Sequence, residues 1–155
     1  MSIETWRIVK TRHAAHAFDG EGARRFGGRW NSIGTRMVYC ASSIALAVLE
    51  VLVHLEEPLA LKGWTLCRVR FDDSMMRTME LASLPADWFA DLPPRVLRET
   101  GDRWVHEQSS VVLAVPSAIV PQEMNHLLNP DHPEFRRIRI DRPQPFAFDR
   151  RLARG

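Results

Sequence analysis

A single carboxylate interrupts the apolar run SSIALAVLEVLVHL at residues 42–55. Between Ile44 and Val53, Glu50 is the one charged residue. If the run is a helix, its surface neighbours are Leu46, Ala47, Val53 and His54. A helix that is apolar nearly all round is normally buried. A buried carboxylate is costly unless it is paired, protonated or turned to a polar cavity. A carboxylate held in that way can stabilise a developing positive charge or orient an attacking oxygen. The plainer alternative puts Glu50 on a narrow solvent-facing stripe with His54 and Glu57.

Other residues could share such chemistry. In GGRWN, 27–31, two glycines precede Arg29. They permit unusual backbone conformations or close approach to a ligand. A guanidinium on such a loop is a fork for phosphate. Trp30 either stacks on a base or fills the core, and an ordinary turn with a surface arginine explains the same residues. Tyr39, in MVYC, is the one tyrosine of the chain. Alternation along a strand separates its side chain from that of Cys40, and a core position serves it equally well. Ser117 follows an apolar run and Pro116, where a strand end can offer a hydroxyl to a ligand. No GxSxG accompanies it, so an esterase nucleophile is not indicated. His126 and His132 match no metal-binding spacing, and both are read as structural.

These residues need a scaffold. Trp6–Val9 reads as a short strand. The basic, glycine-rich 11–36 segment reads as a long loop, a common place for function. Met37–Cys40 is a strand, and Ser42 or Ser43 then caps the Glu50 helix. Trp64–Phe71 alternates as a strand, with Thr65, Cys67, Val69 and Phe71 on one face. Residues 72–92 look irregular, with a helical turn near 87–89. Pro93–Pro94 opens a helix that Gly101 divides, leaving 102–108 as a second short helix. Val111–Val115 is a buried strand, 121–127 a helical turn, 129–133 a loop and 136–140 a last strand. The RLARG tail reads as frayed. The mixture indicates an α+β fold in one domain, 1–155.

Bulk properties narrow the classes. The 155 residues carry a net charge of +2, too little for strong nonspecific nucleic-acid binding. Residues 1–40 hold seven Lys/Arg and three Asp/Glu, residues 41–130 seven and twelve, and residues 131–155 seven and four. Only Lys10 and Lys62 are lysines, so the positive charge is mostly arginine, the better fork for phosphate and carboxylate. No apolar stretch is long enough for a membrane helix. The start, MSIETWRIVK, lacks the pattern of a signal peptide. Cys40 and Cys67 lack CxxC spacing. A cytoplasmic protein is the expectation.

Taken in order, FDGEGARRFGGRWNSIGTRMVYCASSIALAVLEVLVH and VPSAIVPQEMNHLLNPDHPEF resemble the RES domain, the toxin family of bacterial RES–Xre toxin–antitoxin modules. The likeness runs from WRIV to PFAFDRRL. It implies an ADP-ribosyltransferase-like fold, with a split, mostly antiparallel β core and flanking helices around a dinucleotide cleft. It implies depletion of cellular NAD, the substrate, by cleavage of its nicotinamide–ribose bond, with growth arrest and no metal. The family's Arg, Glu and Ser fall on Arg29, Glu50 and Ser117, and its site tyrosine on Tyr39. Arg7, Arg29 and Asn31 are then the dinucleotide-binding residues. The implied partner is an Xre-type antitoxin that covers the site and carries the module to DNA, with a toxin dimer as a further expectation. Two other functions compete: mono-ADP-ribosylation of a protein, and a noncatalytic nucleic-acid-binding or NAD-binding module. The acceptor is left open among water, phosphate and protein.

Overall fold

The computed structural model describes residues 1–153. Eight strands form one sheet in the order β4-β5-β6-β2-β1-β3-β7, with β8 also beside β3. The strands are β1 (Ser2–Lys10), β2 (Val38–Ala41), β3 (Trp64–Asp72), β4 (Met76–Thr78), β5 (Val112–Pro116), β6 (Met124–Leu128), β7 (Arg139–Ile140) and β8 (Gln144–Phe146). All pairings are antiparallel except β4 with β5. The helices are α1 (Glu21–Phe26), α2 (Ile44–His54) and α3 (Arg95–Glu107). The α+β expectation therefore holds.

The sheet has a seam. β1 and β3 pair along their whole length, from Ser2↔Asp72 to Lys10↔Trp64. β1 and β2 register only at Trp6↔Ala41. Side chains reinforce that junction: the Thr5 hydroxyl donates to the Ala41 carbonyl at 2.9 Å, and Arg7 Nη1 to the Tyr39 carbonyl at 2.9 Å. The split core thus has a physical basis in two β arms joined at one short contact.

Period-two alternation sorts the side chains. One face carries Trp6, Tyr39, Ala41, Leu113, Val115, Asn125 and Leu127, following the registers. Helix α2 lays Leu46 and Ala47 on it, beside Ile8, Ala41 and Trp64. Trp30, Trp88, Leu97 and Trp104 cover Leu113, Val115 and Leu127 on that face. The opposite face buries Val38, Cys40, Val69, Phe71, Val112 and Leu128. Thr65, Cys67, Val69 and Phe71 are all buried, so the alternation expected for β3 is present.

Several local expectations are corrected. The 11–36 segment is not one loop: residues 11–16 form a 3-10 turn and 21–26 are α1. The 72–92 stretch contains edge strand β4, and β8 is a further strand beyond the expected last one. Residues 121–127 are not a helical turn; β6 begins at Met124 and from Asn125 to Leu128 pairs with β2 and β5 at once. The last strand is shorter than expected, because 135–137 form a 3-10 turn before β7. Gly101 does not divide its helix. α3 runs unbroken from Arg95 to Glu107, and Gly101 is there for close approach: a Cβ would lie 1.7 Å from the Trp30 carbonyl oxygen. The tail forms a 3-10 turn over Arg150–Ala153, and 154–155 lie outside the described residues.

Candidate active site

Glu50 occupies the boundary between the covered and open sides of α2. Ser43 caps that helix by accepting the Leu46 amide at 3.0 Å, which satisfies an orphan donor of the first turn. Leu46 and Ala47 face the sheet, while Leu49 and Val53 are exposed. The helix is therefore not buried all round, contrary to the expectation from its composition. The Glu50 side chain is 27% exposed.

Its two oxygens have different surroundings. Oε1 accepts from Asn125 Nδ2 at 2.8 Å and from the Ser117 hydroxyl at 3.4 Å. Oε2 lies 3.8 Å from His54 Nδ1, a ring nitrogen that also meets the Glu50 carbonyl at 2.8 Å. Because the His54 side chain is 75% exposed, solvent screens that pairing strongly. The stripe of Glu50, His54 and Glu57 does not form, since Glu57 pairs with Lys10.

Ser117 is fully buried. Its oxygen accepts from the amides of Ile119 and Val120, each at 3.1 Å. A hydroxyl has one proton and two lone pairs. With both lone pairs engaged by amides, the proton is left for Glu50. Ser117 is thereby fixed as a donor behind the carboxylate rather than as a group presented to a ligand.

Arg29 projects from a rigidly tied loop. Gly28 passes so close to Tyr39 that a Cβ there would be 2.6 Å from the phenol oxygen. Tyr39 Oη accepts the Trp30 amide at 3.1 Å and donates to Asn31 Oδ1 at 2.6 Å. Asn31 Nδ2 donates to the carbonyls of Ala23, Ser32 and Thr35 at 2.8, 3.2 and 3.1 Å. From α3, Asp102 accepts the Ser32 amide at 2.9 Å. Arg29 Nη1 donates to the carbonyls of Trp88 and Ala90, both at 2.9 Å. Among the described residues, its Nε and Nη2 take no partner. Partial burial lowers the Arg29 pKa from its usual value, while Glu50 and then Asp91 push it back up.

The remaining expected residues fall elsewhere. Tyr39 is half-buried, and desolvation raises its phenol pKa well above the ordinary value; its hydroxyl holds the Arg29 loop. Asn31 is fully buried with its amide engaged inside that loop. Arg7 alternates with Trp6 and so lies on the face opposite Glu50, where Nε donates to the Ala17 carbonyl at 2.8 Å. Its guanidinium ties the seam. The structure therefore joins Glu50 to Ser117 and Asn125, holds the Arg29 loop through Tyr39 and Asn31, and leaves Arg7 on the opposite face. His126 is buried, and its pKa is lowered by burial to about 4.

Two contributors were missed in the sequence: Asn125, and the Trp88 and Ala90 carbonyls that hold Arg29. Asn125 carries the same signal as Glu50, a polar side chain inside an apolar segment, but the helical reading of 121–127 hid it. Two open hollows, of about 310 and 180 Å³, involve other residues: Arg70, Arg137 and Arg139 in one, Trp6, Arg68 and Arg142 in the other. Neither includes Arg29 or Glu50. No cluster of His, Cys, Asp and Glu suited to a metal occurs among the described residues. No helix among them is long and apolar enough to cross a membrane.

A split, mostly antiparallel core thus presents a carboxylate from α2 and an arginine from a glycine-bearing loop. Residues 4–149 match the RES domain, and the chain belongs to that family. It is 39% identical over 148 residues to the protein named Toxin Res of Yersinia enterocolitica, covering 95% of this chain and 97% of that one. It is 37% identical over 159 residues to a Sphingobium protein named Prs ADP-ribosylating toxin, covering 99% of both. The fold matches a chain of the M. tuberculosis MbcT–MbcA toxin–antitoxin complex with a TM-score of 0.75 at 20% identity, over 95% of this chain and 85% of that chain.

Proposed function

We propose that this chain is the toxin of a toxin–antitoxin pair and that it destroys NAD by cleaving the nicotinamide–ribose bond. The observation that carries the reading is the state of Glu50: a carboxylate on an apolar helix, with Oε1 fixed by Asn125 and Ser117. The bond joins a cationic nicotinamide to ribose, and its breakage resembles glycoside cleavage through an oxocarbenium-like state. A fixed carboxylate stabilises that cation without reorganising. As the C–N bond breaks, its electron pair leaves with neutral nicotinamide. An acceptor oxygen then bonds to the anomeric carbon and loses its proton. Water gives ADP-ribose; inorganic phosphate gives ADP-ribose 1″-phosphate. Arg29 grips the pyrophosphate with Nε and Nη2, because the Trp88 and Ala90 carbonyls already orient Nη1. Tyr39 and Asn31 serve by holding that loop.

An antitoxin of the Xre type covering this site remains part of the proposal, as does growth arrest through loss of NAD. The two-protein complex that shares the fold supports a protein partner.

The test is incubation of partner-free protein with NAD and identification of products by mass. Free nicotinamide with ADP-ribose or its phosphate is expected. Glu50→Gln should fold normally and turn over NAD at least ~100-fold more slowly. Intact NAD after incubation with the wild-type protein, or full activity in the Gln variant, would refute the reading. The printed name of the Sphingobium relative supports a second one, transfer of ADP-ribose to a protein. NAD labelled in the adenylate half separates the two: covalent label on protein marks transfer, and label confined to small molecules marks cleavage alone.

A further inference from the structure

We infer that Asn125 is a positioning residue for Glu50, fixing which carboxylate oxygen faces the substrate; this rests on the reading of Glu50 given above. Asn125 sits mid-sheet. Its strand pairs on both sides, with Ala41 across β2 and Val115 across β5. The backbone beneath the amide is therefore held by two ladders, a firmer base than a loop would give.

The side chain is used asymmetrically. Nδ2 donates to Glu50 Oε1 at 2.8 Å, a charge-assisted bond of the stronger kind. Oδ1 is buried and has no partner among the described residues. A buried acceptor left unpaired is destabilising, so a residue chosen for stability alone would not leave it so. The donor half explains why an amide stands there: it engages Oε1 from the sheet while Ser117 engages the same oxygen from the end of β5. Oε2 is left as the oxygen turned away from the sheet, beside exposed His54. Two donors on one oxygen thus select one rotamer of Glu50 and leave the other oxygen for the developing cation.

Three variants test this in the whole protein: Asn125→Asp, Asn125→Ala and Asn125→Ser. Asp keeps the shape but replaces the donor by a like charge. Expected are a kcat for NAD loss lower by about 10- to 100-fold and a KM within about 3-fold of wild type, with a Tm within about 3 °C of wild type in the Ala and Ser variants. In Asn125→Asp the acid limb of the pH–rate profile should also move to higher pH, because a neighbouring carboxylate opposes ionisation of Glu50. A purely structural role would leave that limb in place. Wild-type kcat in the Asp and Ala variants overturns the inference, as does collapse of the fold in all three. Glu50→Gln, assayed in parallel, separates the failures: if it is fully active, the reading of Glu50 has failed; if it is inactive while the Asn125 variants are normal, only the positioning role has failed.

Discussion

Replacing Gly101 by alanine sets helix propensity against packing. Gly101 lies in the interior of α3. There alanine is favoured over glycine by about 1 kcal/mol. Local sequence reasoning thus expects Gly101→Ala to stabilise the protein. The packing reverses the sign. An added Cβ would sit 1.7 Å from the Trp30 carbonyl oxygen, 2.8 Å from its carbon and 3.3 Å from Met37 Cε. Contacts under 3.0 Å essentially never occur for a real Cβ, so α3 and the 28–31 loop would have to separate by more than an ångström. The obstructing atoms are backbone, with no rotamer through which to yield. Overpacking of this kind costs about 1–3 kcal/mol or more, and the severity of the overlap places the net loss near 2 kcal/mol after the propensity gain. For a chain of this length that is a Tm fall of about 4–8 °C, measurable by thermal unfolding followed by circular dichroism. The site should feel it too. Trp30 follows Arg29 directly, so the variant should raise KM for NAD through a displaced guanidinium. A Tm equal to or above wild type would refute the reasoning, since it would mean that α3 does not rest on the Trp30 carbonyl.

Two other predictions concern groups around the site and across the sheet. Tyr39→Phe leaves the Trp30 amide and Asn31 Oδ1 without their shared partner, and should cost about 1–3 kcal/mol of stability; denaturant unfolding with no shift in midpoint would contradict the hydrogen-bonding role. His126, buried and unprotonated with its pKa lowered to about 4, titrates near 6.5 when unfolded. The unfolded state therefore binds more protons below pH 6.5, and stability should fall between about pH 6.5 and 4, by at most ~3 kcal/mol. His126→Leu should remove that component, and a wild-type-minus-variant difference that stays flat across this pH range would show that His126 does not contribute it.

Much of the site was legible because burial and charge conflict locally. An acidic residue amid alanine, leucine and valine marks Glu50, and Ser43 marks the start of its helix. Paired glycines before Arg29 mark a loop under close approach. Strands with strong alternation, such as β3, were readable for the same reason: one face is buried and the other is not. β4, β7 and β8 are only two or three residues long, too short for periodicity to register. They exist because a neighbouring strand offers an unpaired edge. The 121–127 segment reads locally as a helical turn, whereas pairing with β2 and β5 fixes β6 as a strand.

The sequence by itself determined which residues carry charge against an apolar background, where α2 begins, and the ordered motifs that mark the RES domain. Tertiary structure decided what those groups face. It turned Arg7 to the far side of the sheet, put Tyr39 and Asn31 behind Arg29, engaged both lone pairs of Ser117 and supplied Asn125 to Glu50. The reason is one of range. Composition and period act over a few residues, but the partner of a polar atom is set by strand register, and Glu50 and Asn125 meet across 75 positions of chain.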